Sequence, residues 1–290
     1  MNKKLILTLL ATLTAGAVMF GTGVFIGNES KDKNENIHSE SNAEDVVSEE
    51  NEDAVTNNKE MNSFENIYIR VLSGDVSIEY GDEYSLKYYL HGREKVKRFE
   101  VMDNTLYFDT GFESRYRPAY GDWKVTVTIP EDAVLKNIDI KTAAGDITIS
   151  DKIFDEGNFE TAAGKIEFTD ITANEIEMKS VSDEIKIRNS KISDIEAETV
   201  SSDINVSGTF GEVDMKSVSG DITVDGEFTS ADIENVSGDI KMTASVSSAD
   251  AKTVSGRVVI NGESRGRKVN ISGGNPYAKV KTVSGDITIG

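Results

Sequence analysis

The 290-residue chain contains no cysteine, only three prolines, and two histidines, His38 and His91. The first absence excludes disulfides, thiolate metal sites and a lipid anchor on an N-terminal cysteine. Two histidines leave most zinc sites and Ser-His-Asp triads without their parts. Cations are also scarce, with 31 Lys and Arg against 51 Asp and Glu and a net charge of −20. Phosphate binding depends on clustered cations, so the composition argues against nucleic acid or an anionic membrane surface as a direct partner.

Lys3 and Lys4 precede an uncharged apolar run from Leu5 to Gly27. A run of that length crosses the roughly 30 Å hydrocarbon core as a helix. Residues 1–27 are therefore expected to form a signal-anchor transmembrane helix, with residues 5–27 in the membrane. The preceding lysines place the N-terminus in the cytoplasm and the rest outside, as a single-pass protein of the cell membrane. Cleavage near Ala15 to Ala17 would instead make the segment a signal peptide. The apolar run continues ten residues past Ala17, which favours retention. Residues 28–62 carry eleven Asp and Glu against three Lys with no hydrophobic period. That composition predicts a disordered acidic tether.

Eight segments then align without gaps: TAAGDITI from Thr142, TAAGKIEF from Thr161, SVSDEIKI from Ser180, TVSSDINV from Thr199, SVSGDITV from Ser217, NVSGDIKM from Asn235, TVSGRVVI from Thr253 and TVSGDITI from Thr282. The spacing is 18 or 19 residues until the last step of 29. A fixed short period means stacked units, none able to bury its own apolar face. Period-two alternation on both sides of a Ser-Gly-Asp turn identifies two short strands per unit. The expected fold is all-β, a single-stranded, parallel β-helix-like solenoid of 18 to 19-residue coils over residues 136–290. By alternation the opening residues, Thr142 through Thr282, point inward and hydrogen-bond along the stack. One residue earlier, Lys141, Glu160, Lys179, Glu198, Lys216, Glu234, Lys252 and Lys281 point outward and alternate in sign almost to the end. Opposite charges on neighbouring strands favour in-register stacking. The Val181, Val200, Val218, Val236, Val254 and Val283 column forms either an exposed stripe or, if the turn bends, part of the core.

Residues 63–135 hold thirteen of the twenty-one aromatics. They are expected to form an antiparallel β cap with strands over 76–80, 84–90, 98–101, 105–109 and 124–129 and a hairpin at Tyr80 to Glu83. Leu72 to Val76 echoes the repeat and reads as a degenerate coil. At the other end the final motif closes at Gly290 with no visible cap. That edge is expected to meet a partner, a second copy by self-association, or the extra loop from Glu263 to Tyr277.

The opening Phe64-Glu65-Asn66-Ile67-Tyr68-Ile69, the Ser73-Gly74-Asp75-Val76 that follows, the strand ending at Ile129-Pro130 and the reiterated VSGDI motifs together resemble a known group. It is the bacterial putative-adhesin family of β-strand-repeat proteins, a domain-of-unknown-function family. The resemblance covers roughly residues 63–290 and implies the solenoid fold and an adhesin-like, non-enzymatic role. Some relatives are associated with cell-envelope stress systems, and no catalytic residues exist in the family pattern to carry over.

Three features compete as sites. Gly262-Glu263-Ser264-Arg265-Gly266 matches a nucleophile elbow, yet no histidine follows residue 91, so it reads as a loop. Three residues before each motif, Glu177, Glu196, Asp214, Asp232 and Asp250 are expected to stack without interruption. Calcium is the candidate ion for that column, unless neighbouring lysines neutralise it or the column is a solvated face. The segment from Thr110 to Trp123 places Phe112, Arg115, Tyr116, Arg117, Tyr120 and Trp123 together, a composition suited to stacking on a sugar or clamping a peptide, or to capping the rod. The expected function is a membrane-anchored, extracytoplasmic, non-enzymatic interaction scaffold that meets an envelope protein or a cell-wall glycan. The alternative is a sensor or regulator of an envelope stress response acting through a membrane partner.

Overall fold

The computed structural model describes residues 54–91, 95–111 and 123–290, so the expected membrane span and residues 28–53 lie outside it. Among the described residues every regular element is a strand, and no helix is long and apolar enough to cross a membrane.

Each repeat unit builds two strands about one turn. Around Ser217, the side chains of Val213 and Met215 face inward before the turn, and Ile222 and Val224 after it, all at most 2% exposed. Gly220 makes the turn at φ 141°. Its lack of a side chain has a second cause: a Cβ there would lie 2.1 Å from the carbonyl oxygen of Ser202 in the neighbouring coil. At this position glycine is needed for the turn to sit so close to its neighbour. The aspartate that follows is explained by the same stacking. The Asp203 carboxylate accepts the N–H of Asp221, Asp221 that of Asp239 and Asp239 that of Asp286, each at 2.8 Å. This ladder satisfies turn N–H groups that strand pairing does not reach.

Strands before the turn pair in parallel to form a first face of the rod, and strands after it form a second face. Ile166, Ile185, Ile204, Ile222 and Ile240 lie in one row on adjacent strands of the second face. The matching row of the first face holds Ile140, Phe159, Met178, Ala197, Met215 and Ile233. Each isoleucine buried this way is worth about 1.5–3 kcal/mol, which no isolated coil would gain. Gly157 opens space in the core, since a Cβ there would strike the rings of Phe159 and Phe154.

The opening residues are buried, as alternation requires, but they do not bond to each other: several bond to turn carbonyls, while Thr142, Thr199 and Ser217 leave their hydroxyls without a partner among the described residues. Thr161 Oγ1 donates to the Gly145 carbonyl at 3.2 Å, Asn235 Nδ2 to that of Gly220 at 2.8 Å and Thr253 Oγ1 to that of Gly285 at 2.9 Å. The valine column that follows is half-buried apart from exposed Val254.

The order of coils departs from the order of the sequence at both ends. The last unit, with strands Tyr277–Ser284 and Ile287–Ile289, inserts between the units of 230–243 and 248–260. The coil of 248–260 is therefore the outermost. Its edges are covered by Lys268–Ile271 and Glu263–Ser264, both antiparallel. The edge of the final motif, expected to meet a partner, a second copy or the extra loop, is covered by the coil of 248–260, and the loop covers the edge of that coil instead. At the opposite end, the coil of Asn66–Ser73 and Asp75–Tyr80 sits one layer in, between the coil starting at Asn137 and a further layer made of Thr105–Asp109 and Lys124–Ile129.

Two expectations for the N-terminal part are thus corrected. The region is mixed, with 105–109 and 124–129 parallel to the repeat, 85–91 and 98–102 antiparallel to it, and 54–60 paired antiparallel with 85–91. No hairpin joins Asp75–Tyr80 to Ser85–His91, because Lys124–Ile129 lies between them and buries Val125, Val127 and Ile129. The acidic tether also ends earlier than residue 62. Ala54–Glu60 pairs antiparallel with Ser85–His91, whose outer edge would otherwise leave its N–H and C=O groups unpaired.

Candidate ligand-binding face

Three outward columns run up the first face, because residues i, i+2 and i+4 of each strand point the same way. The first contains Glu156, Glu175, Asp194, Glu212, Ser230 and Tyr277. The second contains Asp139, Asn158, Glu177, Glu196, Asp214, Asp232, Lys279 and Asp250. The third begins with Arg70 and Lys141 and then alternates Glu160, Lys179, Glu198, Lys216, Glu234 and Lys281. Lys216 shows how the alternation works, reaching Asp214 at 3.2 Å, Glu198 at 3.4 Å and Glu196 at 3.6 Å. Lys281 pairs with Glu234 at 2.7 Å, and Lys179 with Glu177.

The columns enclose a groove of about 360 Å³, floored by Ile176, Ile195, Val213 and Ala231 and closed at one end by Tyr277 and Lys279. Seven carboxylates line it, from Glu175, Glu177, Asp194, Glu196, Glu212, Asp214 and Asp232. Burial raises the pKa of Glu196. Lys216 opposes that rise, and the charges of Glu198, Asp214 and Glu177 add to it. Burial works against the Lys216 ammonium, yet Asp214, Glu198 and Glu196 together hold its pKa above the usual lysine range. A hydrogen bond to Asp232 does the same for Lys279.

The expected uninterrupted acidic column is corrected here. Glu177, Glu196, Asp214 and Asp232 do stack on consecutive strands, but Lys279 separates Asp232 from Asp250 and pairs with Asp232. The cause is the inserted final coil. Among the described residues no group of three or more carboxylates or histidines has metal-holding geometry. Lys216 already occupies the centre of negative potential that a cation would seek.

Of the aromatic and arginine segment, Phe112, Arg115, Tyr116, Arg117 and Tyr120 lie outside the described residues. Trp123 stacks on Tyr89 with ring centroids 5.3 Å apart, and its carbonyl accepts the N–H of Asp75. Gly262 to Gly266 belongs to the antiparallel cover of the outermost coil, with no strand-turn-helix about Ser264. Sequence reading missed a second aromatic group. Tyr68 and Tyr107 meet across neighbouring strands at 5.6 Å, with Arg70 4.0 Å above the first ring and Arg98 3.5 Å above the second. The only signal was their shared period-two phase, and that is silent without knowing that Thr105–Asp109 lies beside Asn66–Ser73.

Residues 64–290 match the family model described as Toastrack DUF4097. The chain belongs to the Toastrack DUF4097 family. No curated protein matches it. Solved structures similar to the Toastrack chain include a putative adhesin of Bacteroides fragilis, at 16% identity and a TM-score of 0.46, over 82% of this chain and 97% of that one. A putative lipid binding protein of Parabacteroides distasonis matches at 16% identity and a TM-score of 0.44, over 83% and 98%. A putative cell adhesion protein of Clostridium sporogenes matches at 13% identity and a TM-score of 0.34, over 81% and 98%.

Proposed function

We propose that the protein is a non-enzymatic interaction scaffold, held outside the cell membrane by residues 5–27, whose first face meets an envelope protein or a cell-wall glycan. The observation that carries this reading is the contrast between inside and outside. The interior is filled by stacked aliphatic and aromatic side chains, whereas the outward columns present charged groups in fixed register over many strands. Register of that kind holds side chains at about 4.8 Å intervals without cost at the moment of binding. The carboxylates of the groove stand on neighbouring strands and are tied to lysines in a fixed ladder, which supports a binding face for a ligand that carries donors or cations. The apolar run from Leu5 to Gly27 supports the anchor.

Photo-crosslinking in intact cells tests the proposal. A crosslinker at Glu175 or Glu212, in the groove, is expected to capture a defined partner, and one at Lys186 or Thr223, on the second face, is not. Equal capture from both faces would reject the first face as the binding surface. A mature N-terminus lying between residues 11 and 30 would reject the anchor.

A further inference from the structure

The third column alternates in sign over seven strands and then stops alternating. Beyond Glu234 it runs Lys281, Lys252, Lys268 on three adjacent strands, with Lys252 beside each of the others. Like charges placed directly opposite disfavour the register, so the fold by itself gains nothing from this arrangement. One lysine on Lys268–Ile271 would suffice to blunt the sheet edge against unwanted pairing. Lys252 and Lys281 are not on that edge strand. Arg265 and Arg267 extend the cluster around the turn of the outermost coil, where the Arg267 carbonyl accepts the N–H of Thr253 and Arg265 donates its N–H to Val258. Arg257 lies in that same turn.

Residues 251–290 carry seven Lys and Arg against two Asp and Glu, whereas residues 63–250 carry nineteen against thirty-eight. A domain that is strongly acidic for most of its length thus ends in a stretch of net charge +5, in which Asp232 and Glu234 from the neighbouring coil offset Lys279 and Lys281. Lys281 is neutralised by Glu234, Arg257 by Asp286 and Arg265 by Glu263. Lys252, Arg267 and Lys268 have no carboxylate partner among the described residues.

We infer that this cationic end binds a flexible linear polyanion bearing phosphate groups. Lys281, Lys252 and Lys268 stand on strands about 4.8 Å apart, and of these Lys252 and Lys268, with Arg267 beside them in sequence, carry the charge that no carboxylate offsets and that one phosphate chain can follow. A planar anionic membrane laid on the same face would also meet the acidic groove beside it, and the repulsion there opposes binding. A narrow chain meets only the line of cations. Whatever occupies the groove is a separate matter, since the two surfaces have opposite charge.

The test uses the full chain in a neutral detergent, titrated with short-chain polyphosphate at several salt concentrations. Binding is expected, with log K falling linearly against log salt. The variant Lys252→Gln/Arg267→Gln/Lys268→Gln should bind at least tenfold more weakly, with a slope smaller by about 0.7 for each phosphate that the chain no longer neutralises. Lys165→Gln/Lys191→Gln/Lys241→Gln removes the same charge elsewhere and should bind as the parent does. Circular dichroism on both variants checks the fold, and if the first variant misfolds, Lys252→Gln alone is expected to show a partial loss. Equal weakening in both triple variants would reduce the effect to net charge and overturn the inference. So would failure to bind polyphosphate, whether or not the chain in neutral nanodiscs is captured by phosphatidylglycerol vesicles.

Discussion

Inserting the final coil between two earlier ones makes a prediction that can be decided with two pairs of cysteines, in a chain that has none of its own. Glu234 and Lys281 are register partners on adjacent parallel strands, and Lys281 is in turn the partner of Lys252. Glu234 and Lys281 therefore lie about 4.8 Å apart, and Glu234 and Lys252 about 9.6 Å. A disulfide requires Cα atoms within roughly 4.4–6.8 Å. Glu234→Cys with Lys281→Cys should oxidise readily, while Glu234→Cys with Lys252→Cys should remain reduced. A stack in sequence order gives the opposite result, because 252 would then neighbour 234. The successful bridge closes a loop of roughly 48 residues, which the chain-entropy relation values at about 4 kcal/mol, less any strain from the wide Cβ separation of parallel strands. Thiol titration and mobility on non-reducing gels read the crosslink, and thermal unfolding reads its effect. Oxidation of the 234/252 pair in place of 234/281 would refute the inserted order.

Three other substitutions probe the remaining physical claims. Gly238→Ala combines a φ of 135° with a Cβ placed 2.2 Å from the Gly220 carbonyl, whereas Gly262→Ala meets nothing within 4 Å at φ 76°. The first should cost about 2–5 kcal/mol in denaturant unfolding and the second about 1 kcal/mol, and equal costs would contradict turn-on-turn contact. Asp239→Ala removes the acceptor for the Asp286 N–H and should cost about 1 kcal/mol in the same assay. For Glu196 the folded-state pKa is raised, by burial first, so its ionised form disfavours the folded state at neutral pH. Glu196→Gln should therefore unfold at higher denaturant than the parent at pH 7, and the advantage should disappear as pH falls below the ordinary value of 4.5; a constant difference across that range would exclude titration of Glu196 as its source.

How much of this was legible in the sequence depends on whether a feature repeats. Period-two alternation and the VSGDI spacing specify inward Ile185, Ile204 and Ile222, and the structure places them in one row. The opposite charges of Lys179, Glu198 and Lys216 specify the register of the neighbouring strands. Coil order at the ends did not follow, because VSGDI units are nearly interchangeable and nothing in their apolar pattern says which neighbours which. One clue was present and unread. Arg257 replaces the turn aspartate in its unit, and a coil without that carboxylate has nothing to offer the turn N–H of a following coil. Lys165 breaks the ladder in the same way within the stack, so that clue alone does not mark an end; at the outermost coil Arg257 N donates to Asp286 and no further repeat turn follows it. The acidic column was misread for the same reason. Lys279 falls between Asp232 and Asp250 only once the final coil is inserted. The Tyr68 and Tyr107 pair depends on a contact between segments 39 residues apart that share no motif.

The out-of-order coils at the two ends solve the same problem. A coil in an outermost layer frays by breaking one set of strand pairings at a time. Here the coil of 66–80 and the coil of 277–289 each have parallel neighbours on both sides. Freeing either one breaks two sets of hydrogen bonds and uncovers two apolar layers together, including Ile67 and Ile69 at one end and Val280 and Ile287 at the other. The outermost repeat layers are instead covered by antiparallel strands that do not continue the repeat, with Ala54–Glu60 outermost on one side. The final coil pairs with both 230–243 and 248–260. Its pairing with 230–237 spans 47 residues, where ordinary steps span 18 or 19. Closing that longer loop costs only about 0.8 kcal/mol more than closing an 18-residue one. That is a small penalty against the burial of four inward residues, Ala278, Val280, Ile287 and Ile289, on both sides at once.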